Sequence, residues 1–191
     1  MEDSHCYNNT QKRDRNNPDN YWGISLLNSG YKIYSKIIAK RLTAVAEVLL
    51  LDEQNGFRKG RSCMDSISSA SQIIEKHREF NISKYMAFID FKKTFDSVDR
   101  DKLGTLMLSK GITTHLITII QKICMENIVR VNAGNGLSED SRAITQGVTQ
   151  GCPLSPVLFN LYLDEVIRIW LQKLKTSKYF RVNFHHTVIC T

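Results

Sequence analysis

Residues 84–100, KYMAFIDFKKTFDSVDR, change character once, and that change decides the fold class. Lys84 to Phe91 form a short, unbroken apolar run, which predicts a buried strand ending near Asp90. From Val98 the pattern turns helical. Asp99 is placed to cap a helix with Leu103, Leu106 and Met107 on its core face, Val98 and Leu103 as a hydrophobic staple, and Gly111 to stop it. A strand followed so closely by a helix predicts an α+β fold and leaves a carboxylate, Asp90, standing at the strand's end.

Working outward, residues 32–50 place Ile33, Ile37, Ile38, Leu42, Val45, Ala46 and Leu49 at helical spacing, with Lys32, Lys36, Lys40 and Arg41 mostly on other faces. After the polar break DEQNGFRKGRS, residues 64–80 repeat the pattern more weakly, with Asp65 or Ser66 as the expected cap. Downstream, HLITIIQKICME reads as a helix, and IVRVNA, GNG and SRAITQG together read as a β-hairpin. Residues 154–174 predict a long helix started by Ser155 as N-cap and Pro156 at the first helical position. Residues 1–19 are polar and contain Pro18, and are expected to form a disordered arm.

Bulk composition limits the function. With 191 residues, 42% of them apolar, the chain can build one core or one split core. Its net charge of +7 is compatible with a polyanionic partner such as nucleic acid. Five cysteines stand singly, without the spacing of a disulfide framework or a zinc knuckle, so a reducing compartment fits. There is no signal-peptide pattern and no run of about eighteen apolar residues, so a soluble, intracellular chain with no membrane partner is expected, in nucleus or cytoplasm.

Four segments carry a more specific signal: NYWGISLLNSGYKIYSKIIAKRL from Asn20, QNGFRKGRSCMDSI from Gln54, FIDFKKTFDSVDR from Phe88 and GVTQGCPLSPVLFNLYLDEVIR from Gly147. In this order they resemble the reverse transcriptase domain of non-LTR (LINE-like) retrotransposons. The resemblance implies fingers at about residues 20–83 and 111–149, a partial palm at about 84–110 and 150–191, and no thumb. It implies an RNA-directed DNA polymerase that uses an RNA template, a DNA primer, deoxynucleoside triphosphates and Mg²⁺.

Residue by residue, the resemblance gives Asp90 the role of bridging two Mg²⁺ ions and Phe91 that of offering a main-chain carbonyl, both hard oxygen donors. Phe95 matches a steric gate against a ribose 2′-OH, and Gln150 and Gly151 match residues lying against nucleotide and template backbone. Arg58, Lys59 and Arg61 would meet phosphates. Plainer readings stand beside these. Asp96, Asp99 and Asp101 are simply explained as helix caps and dipole partners, Asp90 alone would be a turn residue, Phe95 could be core, and the Arg58, Lys59, Arg61 cluster could be a solvated loop.

The series also departs from the family. Trp22 replaces an arginine, Thr94 replaces an alanine, and no Asp-Asp pair occurs in the chain. The tail NFHHTVICT resembles an altered form of the hairpin that carries that pair, with His185 and His186 in place of the carboxylates. Histidine is a poor Mg²⁺ ligand, and adjacent residues of a strand face opposite ways, so the two could hardly share a zinc ion. The chain stops at Thr191, where the family's palm continues. The expectation is a polymerase fragment that is inactive alone. The alternatives are a non-catalytic nucleic-acid-binding remnant and a relic reading frame with no selected function.

Overall fold

The computed structural model describes residues 4–10, 21–83, 86–125, 128–131, 142–143 and 145–176. Along them run β1 (Ser4–Thr10), β2 (Tyr21–Leu26), α1 (Ser29–Ala46), α2 (Cys63–Glu79), α3 (Arg100–Ser109), α4 (Thr114–Met125), β3 (Ile128–Val131), β4 (Arg142–Ala143) and α5 (Ser155–Thr176). Helices dominate and strands are few. Backbone contacts divide the chain into two units, one of residues 1–45 and 93–159, the other of residues 46–92 and 160–191.

In the first unit the strands form one sheet in the order β2, β1, β3, β4. β1 pairs antiparallel with β2, from His5 opposite Leu26 to Thr10 opposite Tyr21, and parallel with β3. β3 and β4 pair antiparallel as the hairpin pattern predicts, with Ile128 opposite Ala143; the turn expected at residues 134–136 lies outside the described residues. β1 lies in the polar segment expected to be a disordered arm. A ladder is made of main-chain N–H and C=O groups, so a polar segment enters a sheet when neighbours supply partners, and β2 and β3 flank this one.

The helices of this unit follow their apolar spacing. Ser35, Ile38, Ala39 and Leu42 of α1 are buried at intervals of three and four, as an amphipathic helix requires. α3 begins where the cap predicts: an Asp99 carboxylate oxygen accepts from the N–H groups of Asp101 (3.1 Å) and Lys102 (3.0 Å), and Val98 and Leu103 are both buried. The stop at Gly111 has the left-handed backbone of a helix end, with φ of +80°. Leu103, Met107, Ile117, Ile120, Leu154, Leu158 and Phe159 supply most of the rest of the core.

In the second unit α2 is capped one turn earlier than expected. Ser62 is the N-cap, accepting from Met64 N–H, and Asp65 stands at the third helical position with its carboxylate accepting from Ser62 N–H (2.9 Å). Asp65 thus closes a capping box instead of opening the helix, and Ser66 is buried, accepting from Asn55 Nδ2 at 2.7 Å. The strand expected over residues 84–91 is not formed where the chain is described. Residues 86–91 have no regular secondary structure, and Met86, Phe88, Ile89 and Phe91 are exposed, Phe88 at 87%. A short apolar run becomes a strand only by pairing, and the sheet of the described residues draws its four strands from elsewhere.

Candidate functional site

Two non-adjacent stretches of the first unit are bonded together around residues that the sequence singles out. Residues 93–97 form a tight turn in which Lys93 has a positive φ of 50° and its carbonyl accepts from the N–H groups of Asp96 and Ser97, both at 3.1 Å. Residues 146–148 lie on this turn: Gly147 N–H donates to Val98 O (2.8 Å), Val148 N–H to Phe95 O (2.8 Å) and Gln146 Nε2 to Ser97 O (3.2 Å). The Phe95 ring stacks on Phe159 of α5, with centroids 4.9 Å apart and planes inclined by 18°.

Both glycines of this second stretch are required by the backbone. Gly147 has φ of +84°, and a Cβ on it would come within 2.8 Å of Phe95 O and Asp96 Cα. Gly151 has φ of +109°, and a Cβ there would meet Ser25 O at 2.6 Å. The contact with β2 is reinforced by a bond from Ser25 N–H to Gln150 O at 2.9 Å. Arg100 completes the arrangement. It is buried, and its Nε donates to Gly147 O at 2.7 Å. Burial lowers its pKa from the usual guanidinium range. Nearby, Cys124 lines a small cavity with Leu103, Met107 and Ile120, and burial pushes its thiol up to about 11.

The second unit holds its polar loop, residues 47–61, by a different device. Asn160, Asp164 and Arg168 follow one another at intervals of four along α5 and therefore share a face. Asn160 Nδ2 donates to Gly56 O (2.9 Å), the buried Asp164 carboxylate accepts from Leu51 N–H and Arg168 Nε (both 2.8 Å), and Arg168 Nη2 donates to Leu49 O (2.9 Å). Within the loop, Arg58 is buried, pairs with Glu47 at 2.6 Å and donates to the carbonyls of Leu51 and Gln54.

The pairing of these stretches matches the order of the sequence motifs, and the comparison with known families settles what they belong to. The family described as reverse transcriptase (RNA-dependent DNA polymerase) matches residues 10–186. The chain belongs to the reverse transcriptase family. Similar proteins include the retrovirus-related Pol polyprotein from type-1 retrotransposable element R2 of Popillia japonica, 28% identical over 81% of this chain and 21% of that protein. The Pol polyprotein from type-2 element R2DM of Drosophila melanogaster is 28% identical over 79% of this chain and 14% of its own length. An uncharacterized 149 kDa protein of transposon TX1 from Xenopus laevis is 28% identical over 81% of this chain and 12% of its own length. The chain therefore spans about a fifth or less of these relatives. The likeness to non-LTR (LINE-like) retrotransposon enzymes read from the motif series is upheld.

In this reverse transcriptase domain, three of the motif segments meet through main-chain atoms. Phe95, Gln150 and Gly151 sit in one unit, with the first bonded to Val148 and the other two against Ser25. Asp90 and Phe91 sit in the other unit, exposed. So do Arg58, turned inward as described, Lys59, exposed, and Arg61, whose guanidinium bonds Asp52, its side chain at 2.9 Å. Trp22 lies on β2 opposite Asn9, and His185 and His186 fall outside the described residues. Among the described residues no group of three His, Cys, Asp or Glu side chains could hold a metal ion, and no helix is long and apolar enough to cross a membrane.

Sequence reading passed over Gly147, Ser25, Arg100 and the α5 face. Two signals were present. Arg100 is the first residue of α3, where the helix dipole disfavours a cation, so its presence there points to another task. Asn160, Asp164 and Arg168 are polar residues set at one repeating interval among the apolar positions 157–170 of α5.

Proposed function

We propose that this chain is the template- and nucleotide-handling part of a retrotransposon RNA-directed DNA polymerase, and that alone it binds primer-template without extending it. Its arrangement in this proposal is α+β, fingers with part of a palm. The observation that carries it is the bonding of Phe95 to the Gly147–Gly151 stretch. A ring held by stacking on Phe159, on a backbone bonded to Val148, can act as a gate at the sugar of a deoxynucleotide.

The metal requirement supports the second half of the reading. Asp90 and the Phe91 carbonyl are hard oxygen donors of the type Mg²⁺ takes. A pair of Mg²⁺ ions carries four positive charges, and one carboxylate offsets a quarter of that. The chain contains no Asp-Asp pair to supply the remainder, and histidine nitrogens at 185 and 186 are poor substitutes. The residues present do not make a two-ion site.

The test is primer extension by the purified chain on an RNA template with Mg²⁺ or Mn²⁺, beside a binding assay on the same primer-template. Salt-sensitive binding without incorporation is expected. Incorporation that disappears in Asp90→Ala would overturn the inactivity. Absence of binding at low salt would overturn the function as a whole.

A further inference from the structure

We infer that the solvent face of α1 is a rail for single-stranded nucleic acid, separate from the residues assigned above; the inference rests on the nucleic-acid-binding half of the proposed function. Lys32, Lys36 and Lys40 recur at intervals of four, which sets them in a row with steps of about 6 Å along the helix. That step is comparable to the separation of successive phosphates in an extended strand. All three are exposed, and none enters an ion pair among the described residues. α1 contains no acidic residue at all, so nothing on the helix competes for these ammonium groups.

Beside the lysine row the same face carries side chains of a different kind. Ile33, Ile37 and Tyr34 are 64%, 49% and 48% exposed, and Arg41 is exposed beyond them. The buried side of the helix is occupied by Ser35, Ile38, Ala39 and Leu42, so the exposed apolar groups are surplus to the core. An anionic backbone with flat, apolar bases hung from it satisfies both halves of this surface: phosphates on the lysine row, bases or sugars over the two isoleucines and the tyrosine. A duplex, whose bases are stacked inside, would use only the lysines.

The test is fluorescence anisotropy of a labelled single-stranded RNA oligonucleotide across a salt series, using the full chain. The Lys32→Ala, Lys36→Ala, Lys40→Ala triple variant keeps the helix, since alanine is the best helix former. It is expected to bind at least about tenfold more weakly near 0.1 M salt, with the slope of log K against log salt reduced by about 2, for three lost phosphate contacts on a single strand. A control with the exposed Lys76, Lys122 and Lys173 changed to alanine should keep more of both. Ile33→Gln with Ile37→Gln should weaken single-strand binding and leave the slope and duplex binding unchanged.

If the parent binds and the α1 triple variant matches it in affinity and slope, the rail is wrong while the proposed function stands. If the parent binds no oligonucleotide, both fail. If the triple and the isoleucine variants instead lose binding to phosphatidylserine vesicles while oligonucleotide binding is untouched, the face serves a membrane surface and the inference is overturned.

Discussion

The turn at residues 93–97 and the segment at residues 86–91 stand next to each other in the sequence, and both belong to the FIDFKKTFDSVDR motif, yet they are built in opposite ways. The turn has its carbonyls used by Asp96, Ser97, Gln146 and Val148, and its phenylalanine is stacked. The preceding segment has no regular structure and exposes most of its large apolar side chains. The position of Phe95 is therefore set by contacts formed within residues 93–159. Asp90 stands on a segment that owes little of its stability contribution to burial. Phe95, the proposed gate, and Asp90, the proposed metal anchor, are thus expected to respond very differently to substitution.

The largest effect is expected where the turn meets its partner. Gly147→Ala places a Cβ within 2.8 Å of main-chain atoms at a positive φ, and neither backbone can give way cheaply. A loss on the order of 4 kcal/mol is expected, measured by urea unfolding. Gly60→Ala separates the two causes, since Gly60 has φ of +75° with nothing within 4 Å of the added carbon. Its cost should be about 1 kcal/mol, the backbone contribution alone. Equal losses in the two variants would mean that the approach of Phe95 to Gly147 is not tight.

Next come the two buried arginines. Arg58→Met removes donors to three loop carbonyls, of Glu47, Leu51 and Gln54, and the pair with the Glu47 side chain, and about 3 kcal/mol is expected. Arg100→Met removes the bond from Nε to Gly147 O and should cost about 2 kcal/mol. Chemical unfolding of both variants checks the order. A larger loss for Arg100 would show that holding the Gly147 carbonyl matters more than holding the loop carbonyls around Arg58.

These side chains also mark the limit of what could be read from sequence. Helix α3 was legible because capping and apolar spacing are local, and Asp99, Val98 and Leu103 lie within one turn of the helix start. The hairpin of β3 and β4 was legible because alternation and a GNG turn are local too. The strand expected at residues 84–91 is not formed over 86–91: a short apolar run does not reveal whether a partner strand exists. β1 was missed for the converse reason, since its pairing uses main-chain groups that polar residues also possess. Of the site, Gly151 is expected from the motif to lie against nucleotide and template backbone; the atom found against it is Ser25 O, which no local pattern could have indicated.

A smaller effect is expected at the cap, and it depends on pH. The N–H of Lys102 and then its ammonium group lower the Asp99 carboxyl from its usual 3.8. Because the folded pKa lies below the unfolded one, the stabilisation is complete above about pH 4 and is lost as pH falls through the folded value. Asp99→Asn keeps an oxygen for the cap but no charge. Thermal unfolding should separate the parent from this variant at neutral pH and bring them together in acid. A gap that persists unchanged below pH 3 would assign the difference to hydrogen bonding alone.

The smallest change in stability is expected at Asp90, where a null result carries the most information. Asp90→Asn alters an exposed group in the irregular segment, so unfolding free energy should move by less than about 0.5 kcal/mol. If the carboxylate is the start of a metal site, its loss should still abolish any Mn²⁺-dependent change in nucleotide binding, measured by calorimetry, while Phe95→Ala weakens nucleotide binding with or without the ion. A substantial loss of stability in Asp90→Asn would instead place the carboxylate in a structural network and unite the two neighbouring stretches. Stability unchanged and metal response gone would keep them apart, with one stretch shaped by packing and the other reserved for a charge.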